Sequence, residues 1–315
     1  MGTPDFAVPV LDAIIQEGYN VVGVVTAPDR PAGRGKKLRS SPVKEYAVQH
    51  NLHLLQPEKL RDELFLKELK QLDPHLQIVV AFRMLPKVVW EIPTLGTFNL
   101  HASLLPQYRG AAPINHAIIN GESETGLTTF FIDDKIDTGS IILQEKITID
   151  KKDDFKSLHD KMMVKGAGLV LKTIHLILKG DVVLTDQKSR VGAYEVLKPA
   201  PRIFKDDCRI DWNKPVEEIY NFIRGLSPWP VAFTNLKDDS EKEYYVKIYK
   251  ASPVKQNHLF DPGKVETDNK LYIKVYGLDG YLNIEELQMS GKKRMKTADL
   301  LRGFSFSGDV HVIPG

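Results

Sequence analysis

Phe98-Asn99-Leu100-His101-Ala102-Ser103-Leu104-Leu105-Pro106, followed further on by Asp137-Thr138-Gly139, is the stretch from which the rest of the chain is read. Residues 96–101 form an apolar-rich run of strand character. Asn99 and His101 stand two apart on it, and on a strand residues i and i+2 point to one face. If Asp137 comes from the end of a neighbouring strand, an amide, an imidazole and a carboxylate converge without a nucleophilic Ser or Cys. That set suits transfer of an acyl group from a donor to an amine. The amide and imidazole stabilise a developing oxyanion, and the carboxylate holds the imidazole and manages protons. The competing reading makes His101 a satisfied structural histidine and Asp137 a turn residue, since Asp-Thr-Gly is a common turn composition. Placement at strand ends of a parallel sheet, where ligand crevices form, favours the catalytic reading.

Working outward, the first part of the chain alternates strands and helices. Residues 20–26 and 76–82 are β-branched or apolar runs, and 127–133 and 140–149 read as further strands. Helices are predicted over 6–17, with Pro9 early and Gly18 as a stop, over 42–50, and over 113–120, entered at Pro113. A long helix near 154–179 places Leu158, Met162, Val170, Ile174 and Leu178 inward, with Gly180 as its stop. This alternation predicts an α/β domain whose mostly parallel sheet is covered on both faces. Texture changes after residue 180. Residues 181–208 are polar and read as a linker. A helix is predicted over 216–225, and short strands over 244–249, 263–265, 271–275 and 281–287 predict a small β-barrel or sandwich.

Other clusters carry weaker signals. Pro28-Asp29-Arg30-Pro31-Ala32-Gly33-Arg34-Gly35-Lys36-Lys37-Leu38-Arg39 reads as a basic loop. It is either a solvated surface or a phosphate-backbone contact, its glycines allowing close approach. It lacks the spacing of a Walker loop. Gly2-Thr3-Pro4 is not a dinucleotide fingerprint. Arg109 could meet an anion at the entry to helix 113–120. His116 reads as a packing or rim histidine. Lys292, Lys293 and Arg294 form a second basic cluster that could extend a nucleic-acid surface. The 315 residues, 42% hydrophobic and 27% charged, support a sizeable core and one or two domains. No apolar run reaches membrane-spanning length, and the first residues do not form a signal peptide. The single cysteine, Cys208, excludes an intrachain disulfide and a cysteine metal cage. A formal charge of +2 does not by itself announce nucleic-acid binding. A cytoplasmic protein is predicted.

In order along the chain, several motifs together resemble the methionyl-tRNA formyltransferases of the folate-dependent formyltransferase superfamily. They are Gly2-Thr3-Pro4-Asp5-Phe6-Ala7, the basic loop, the Asn99 to Pro106 block and Arg109-Gly110-Ala111-Ala112-Pro113. Glu124-Thr125-Gly126, Asp137-Thr138-Gly139, Arg209-Ile210-Asp211-Trp212 and Ser227-Pro228-Trp229-Pro230 complete the set. The resemblance implies a doubly wound catalytic domain over 1–180, a linker over 181–208 and an OB-like tRNA-binding barrel over 209–315. It implies 10-formyltetrahydrofolate as co-substrate, touched by Ser103, Leu104, Leu105 and Pro106, and no metal. Asn99 and His101 would stabilise the oxyanion and Asp137 would orient His101. Methionyl-initiator tRNA would lie across both domains, with Arg30, Arg34, Lys36 and Lys37 on the acceptor stem region. A monomer with no membrane partner is implied. Arg83 stands where the family pattern has a glycine. The pattern also places a strand before Gly2-Thr3-Pro4, and only Met1 precedes that turn here. The expectation is therefore that the first strand is missing and that the natural start lies upstream.

Overall fold

The computed structural model describes residues 1–32, 37–192 and 196–313. Its contacts divide into two units. The first comprises Met1–Gly110, Glu124–Thr148 and His159–Pro199, and the second Ala111–Ser123, Ile149–Leu158 and Ala200–Gly315.

In the first unit, local chemistry sets the element ends. Pro9 opens α1 (Val8–Gln16), which buries Val10 and Ile14. β1 (Val24–Val25) follows, then a hairpin of β2 (Arg30–Ala32) and β3 (Lys37–Arg39). The Ser41 hydroxyl caps α2 (Pro42–Gln49) by accepting the Lys44 N–H at 3.1 Å. After β4 (Leu54–Leu55), Asp62 caps α3 (Glu63–Gln71) through the Phe65 N–H at 3.0 Å. Then come β5 (Gln77–Val80), α4 (Lys87–Trp90) and β6 (Thr97–His101). Beyond α5 (Pro113–Ile119), which belongs to the second unit, the chain forms β7 (Glu124–Phe131), β8 (Ile141–Thr148) and α6 (Phe155–Lys179), of which the part from His159 on belongs to the first unit.

β1 pairs parallel with β4, and β5 parallel with β6, while β7 and β8 add antiparallel strands. Where the resemblance places a strand that this chain is expected to lack, Met1 and Gly2 lie between β1 and β5. The Gly2 N–H donates to Val25 O at 3.0 Å, and the Val80 N–H to Met1 O at 2.9 Å. The Met1 ammonium donates to Ile78 O at 2.6 Å, and burial pushes its pKa down to about 5. One side of the sheet packs Val25, Leu55, Phe65, Leu69, Val79, Leu85 and Val89. α6 comes close to the sheet at Gly166, where an added Cβ would stand 2.9 Å from Leu100 Cδ2.

Some elements differ from the sequence expectation. The strand over 20–26 shortens to two residues. The basic loop contains the β2–β3 hairpin, with Arg30 opposite Arg39. Leu178 is exposed, and the neighbouring Ile177 is buried in its place.

The second unit contains a closed six-stranded antiparallel barrel. Its strands are β9 (Ala232–Asp238), β10 (Glu243–Lys255), β11 (Lys264–Thr267), β12 (Ile273–Tyr276), β13 (Gly280–Met289) and, after β14 (Met295–Lys296) and α8 (Thr297–Leu301), β15 (Val310–Val312). The order β10-β9-β15-β11-β12-β13 closes by pairing β13 with β10, so no long edge is left open. α7 (Val216–Gly225) packs on this unit together with α5. Asn115 Nδ2 donates to Gly225 O at 2.7 Å, and the buried Arg224 donates through Nη1 to Asp153 O at 2.7 Å. Trp212, also buried, donates its indole N–H to Thr234 Oγ1 at 3.1 Å. Among the described residues no helix is long and apolar enough to cross a membrane.

At the β9–β10 turn, Asp238 is 1% exposed and accepts from the Ser240 hydroxyl (2.6 Å), the Tyr244 hydroxyl (2.7 Å) and the Ser307 N–H (3.1 Å). These donors hold its carboxyl well below the ordinary value of 3.8, the Ser240 bond contributing most. Burial and the bond to Asp238 push the Tyr244 phenol up to about 12. Because the folded pKa of Asp238 is depressed, its stabilisation is complete above the unfolded value and is lost as pH falls through the folded one. Thermal melts of Asp238→Asn should therefore show lower stability than wild type at pH 7. The gap should narrow as pH drops below about 4. A gap that stays constant down to pH 2 contradicts this.

Candidate active site

The carboxyl end of β6 carries the expected pair. Asn99 pairs across the sheet with Phe130 and His101 with Thr128, so both side chains project from the same face. Asn99 is half-buried, and its Oδ1 is buried without a hydrogen-bond partner among the described residues. His101 is 7% exposed. Its Nε2 lies 2.9 Å from Tyr108 O, and a carbonyl only accepts, so Nε2 carries the hydrogen. Nδ1 then faces Asp137, whose Oδ2 is 3.8 Å away, too long for a direct hydrogen bond.

Asp137 does not sit on the end of a strand. It lies in the connection between β7 and β8, in the left-handed region at φ 54°. Its Oδ2 accepts the Gly110 N–H at 3.0 Å. Two residues on, Gly139 runs so close to β7 that an added Cβ would be 1.7 Å from Phe131 O. Asp133 organises the start of the same connection by accepting the Lys135 N–H and the Thr138 hydroxyl at 3.0 and 2.7 Å.

The loop after His101 is built largely inward. Ser103 is fully buried and donates its hydroxyl to Gln107 O at 2.6 Å. Leu105 and Pro106 are buried, and Leu104 is half-buried. Thr128 Oγ1 donates to Ser103 O at 2.6 Å and accepts the Leu105 N–H at 3.1 Å, while Gln144 Nε2 donates to Leu105 O at 2.8 Å. Leu104 also explains Gly126, whose Cβ would meet Leu104 Cδ2 at 2.4 Å. Thus the Ser103 hydroxyl is spent within its own turn, and Leu104 is the least buried side chain of the four.

Other predicted residues lie around these loops. Arg83, after β5, donates through Nη1 to Glu58 O at 2.7 Å and through Nη2 to Pro57 O. Its Nε is buried without a hydrogen-bond partner among the described residues, and burial, then the charge of Arg30, lower its pKa. Asp29 is tied to Lys44 Nζ at 2.6 Å and to Gln56 Nε2 at 3.1 Å. The Lys44 bond contributes most to holding its carboxyl below the usual range. Arg30 is exposed on the β2–β3 hairpin, and Lys37 takes part in that hairpin's backbone pairing. Arg34 and Lys36 lie outside the described residues. The second basic cluster is partly neutralised: Arg294 makes a two-pronged pair with Glu286 at 2.7 and 2.8 Å and stacks 4.2 Å from the Tyr249 ring centroid.

Sequence reasoning missed the supports of this site. They are the Tyr108 carbonyl, the Gly110 N–H, Thr128, Gln144 and Gln187. The first two are backbone groups with no side-chain signature. Gln187 sits in a polar stretch where nothing in composition or spacing marks it.

His101 and Asp137 thus stand 3.8 Å apart, with Asn99 two residues earlier on the same face of β6. The formyl transferase family model matches residues 1–174, and its C-terminal domain model matches residues 202–305. The chain belongs to the formyl transferase family. The methionyl-tRNA formyltransferase of Bacteroides fragilis is 55% identical over 304 residues, covering 96% of this chain and 94% of that protein. That of Flavobacterium johnsoniae is 54% identical over 312 residues, covering 99% and 97%. Among solved structures, the sugar 3N-formyl transferase WlaRD, described with dTDP and 5-N-formyl-THF, superposes with a TM-score of 0.62 at 22% identity. That match covers 93% of this chain and 97% of that one, and it speaks for the fold alone.

Proposed function

We infer that this chain transfers the formyl group of 10-formyltetrahydrofolate to the free amino group of methionyl-initiator tRNA. The observation that carries the reading is near full-length identity above half with proteins of that name, joined to Asn99 and His101 on one face of β6 with Asp137 3.8 Å from the imidazole. In the proposed mechanism the amine nitrogen attacks the formyl carbon. The Asn99 amide donates to the oxygen that becomes negative. Its unpartnered buried Oδ1 is an acceptor that an incoming amine N–H satisfies, removing a penalty of about 1–3 kcal/mol. His101 acts here as base in place of the expected oxyanion donor, because its N–H is given to Tyr108 O: Nδ1, beside Asp137, takes the amine proton and returns it to the folate nitrogen as the carbon–nitrogen bond to folate breaks. Asp137 stabilises the imidazolium formed on the way. Asn99, His101 and Asp137 lie on one chain, so the proposed chemistry calls on no residue of a second copy. Its aminoacyl-tRNA acceptor supports work in the cytoplasm, and the barrel is assigned to tRNA. Incubation with methionyl-tRNA and 10-formyltetrahydrofolate should yield formylmethionyl-tRNA. Failure to form it while another amine is formylated would replace the acceptor.

The cations of residues 28–39 belong to tRNA binding in this reading. Arg34→Ala should raise the KM for methionyl-tRNA, leave folate binding unchanged, and make the salt dependence of tRNA binding shallower by roughly one unit of slope. Weakened folate binding with intact tRNA binding would show that the loop has another task.

A further inference from the structure

Gln187 is 1% exposed, and its side-chain amide is used on both sides. Its NH2 donates to Asp137 O at 3.0 Å and to Gly139 O at 2.8 Å. Its Oε1 accepts from Arg109 Nε at 3.0 Å and from Nη2 at 2.6 Å. The residues flanking Arg109 hold the other two ends of the site: the Tyr108 carbonyl receives His101 Nε2, and the Gly110 N–H is bound by Asp137 Oδ2. Residues 108–110 and Gln187 therefore close a ring of hydrogen bonds around the imidazole and the carboxylate.

We propose that Gln187 is a positioning residue for Asp137, clamping the backbone at residues 137 and 139 so that the carboxylate stays beside His101. The proposal rests on the reading of Asp137 as the catalytic carboxylate. A left-handed non-glycine residue costs about 1–3 kcal/mol and persists only where its surroundings over-determine it. Asp137 is such a residue, and the two carbonyl contacts from Gln187 supply that constraint. Freed of them, the connection relaxes and the carboxylate moves. A misplacement of about 1 Å can cost on the order of 100-fold in rate.

The test uses Gln187→Ala, Gln187→Glu, Arg109→Ala, Asp137→Ala and the double variant Asp137→Ala/Gln187→Ala. Single-turnover formylation, KM for both substrates and thermal melts are measured. Gln187→Glu keeps an acceptor for Arg109 but lacks the NH2 donors. It should therefore lose kcat as Gln187→Ala does, by about 10- to 100-fold, with both KM values little changed. Arg109→Ala keeps the donors but leaves the buried Gln187 Oε1 unpaired, so it should lose kcat by less than Gln187→Ala does. The double variant should be no slower than Asp137→Ala, because Gln187 acts through that carboxylate. Wild-type kcat in Gln187→Glu, or a further loss in the double variant, overturns the proposal while leaving the site intact. Wild-type kcat in Asp137→Ala removes the catalytic reading itself.

Discussion

Removing the carboxylate with Asp137→Ala, or the imidazole with His101→Ala, is expected to leave a folded protein that has almost no formyl transfer. Asn99→Ala should lose about 10²–10³ in kcat, the usual cost of deleting one oxyanion donor. The reason is geometric. Asn99 and His101 share a face of β6, and Asp137 Oδ2 stands 3.8 Å from the imidazole nitrogen that is not held by Tyr108. His101→Ala leaves Tyr108 O without its donor and Asp137→Ala leaves the Gly110 N–H without its acceptor, so melting temperatures should fall modestly while rates collapse. Turnover near wild type in all three variants would end this assignment.

Gly139→Ala is expected to be the most damaging single-atom change in the site. Its new methyl would fall 1.7 Å from Phe131 O, a backbone atom in β7 that cannot swing aside. Overpacking of this kind costs about 1–3 kcal/mol. Relief by moving the connection displaces Asp137, so stability and kcat should fall together. The measurement is paired, melts and formylation rates on the same preparation. Wild-type kcat in a variant of wild-type stability would show that the approach of Gly139 to Phe131 is not required.

These predictions follow from residues that could be read in the sequence to very different degrees. Asn99 and His101 were legible because strand periodicity alone puts them on one face. Asp137 was legible as a residue type, but not as a point in the β7–β8 connection, since no local pattern reports a positive φ. Ser103 had a polar side chain in a conspicuous block, yet its hydroxyl closes its own turn. That outcome depends on Gln107 O, a backbone group. α3 is not among the predicted helices, although Asp62 as cap and Phe65 and Leu69 one helical turn apart signal it. β9 follows Pro228 and Pro230 closely enough to pass for their turn, and only its pairing with β10 and β15 makes it a strand. The β2–β3 hairpin hides behind proline and glycine. Gln187 was illegible, because a buried amide far along the chain has no period to betray it.

The second unit's use of Ala111–Ser123 and Ile149–Leu158, segments bracketed by strands of the first, bears on how the chain is made. α5 buries Ile114, Ala117 and Ile118, and its Asn115 bonds to a carbonyl 110 residues further on, at Gly225. At ribosomal speeds of about 5–20 residues per second, α5 emerges roughly 6–20 s before that partner does. For that interval its apolar face has no cover from α7. The nascent chain is thus left with an unfinished hem, which only the arrival of its downstream half can sew shut.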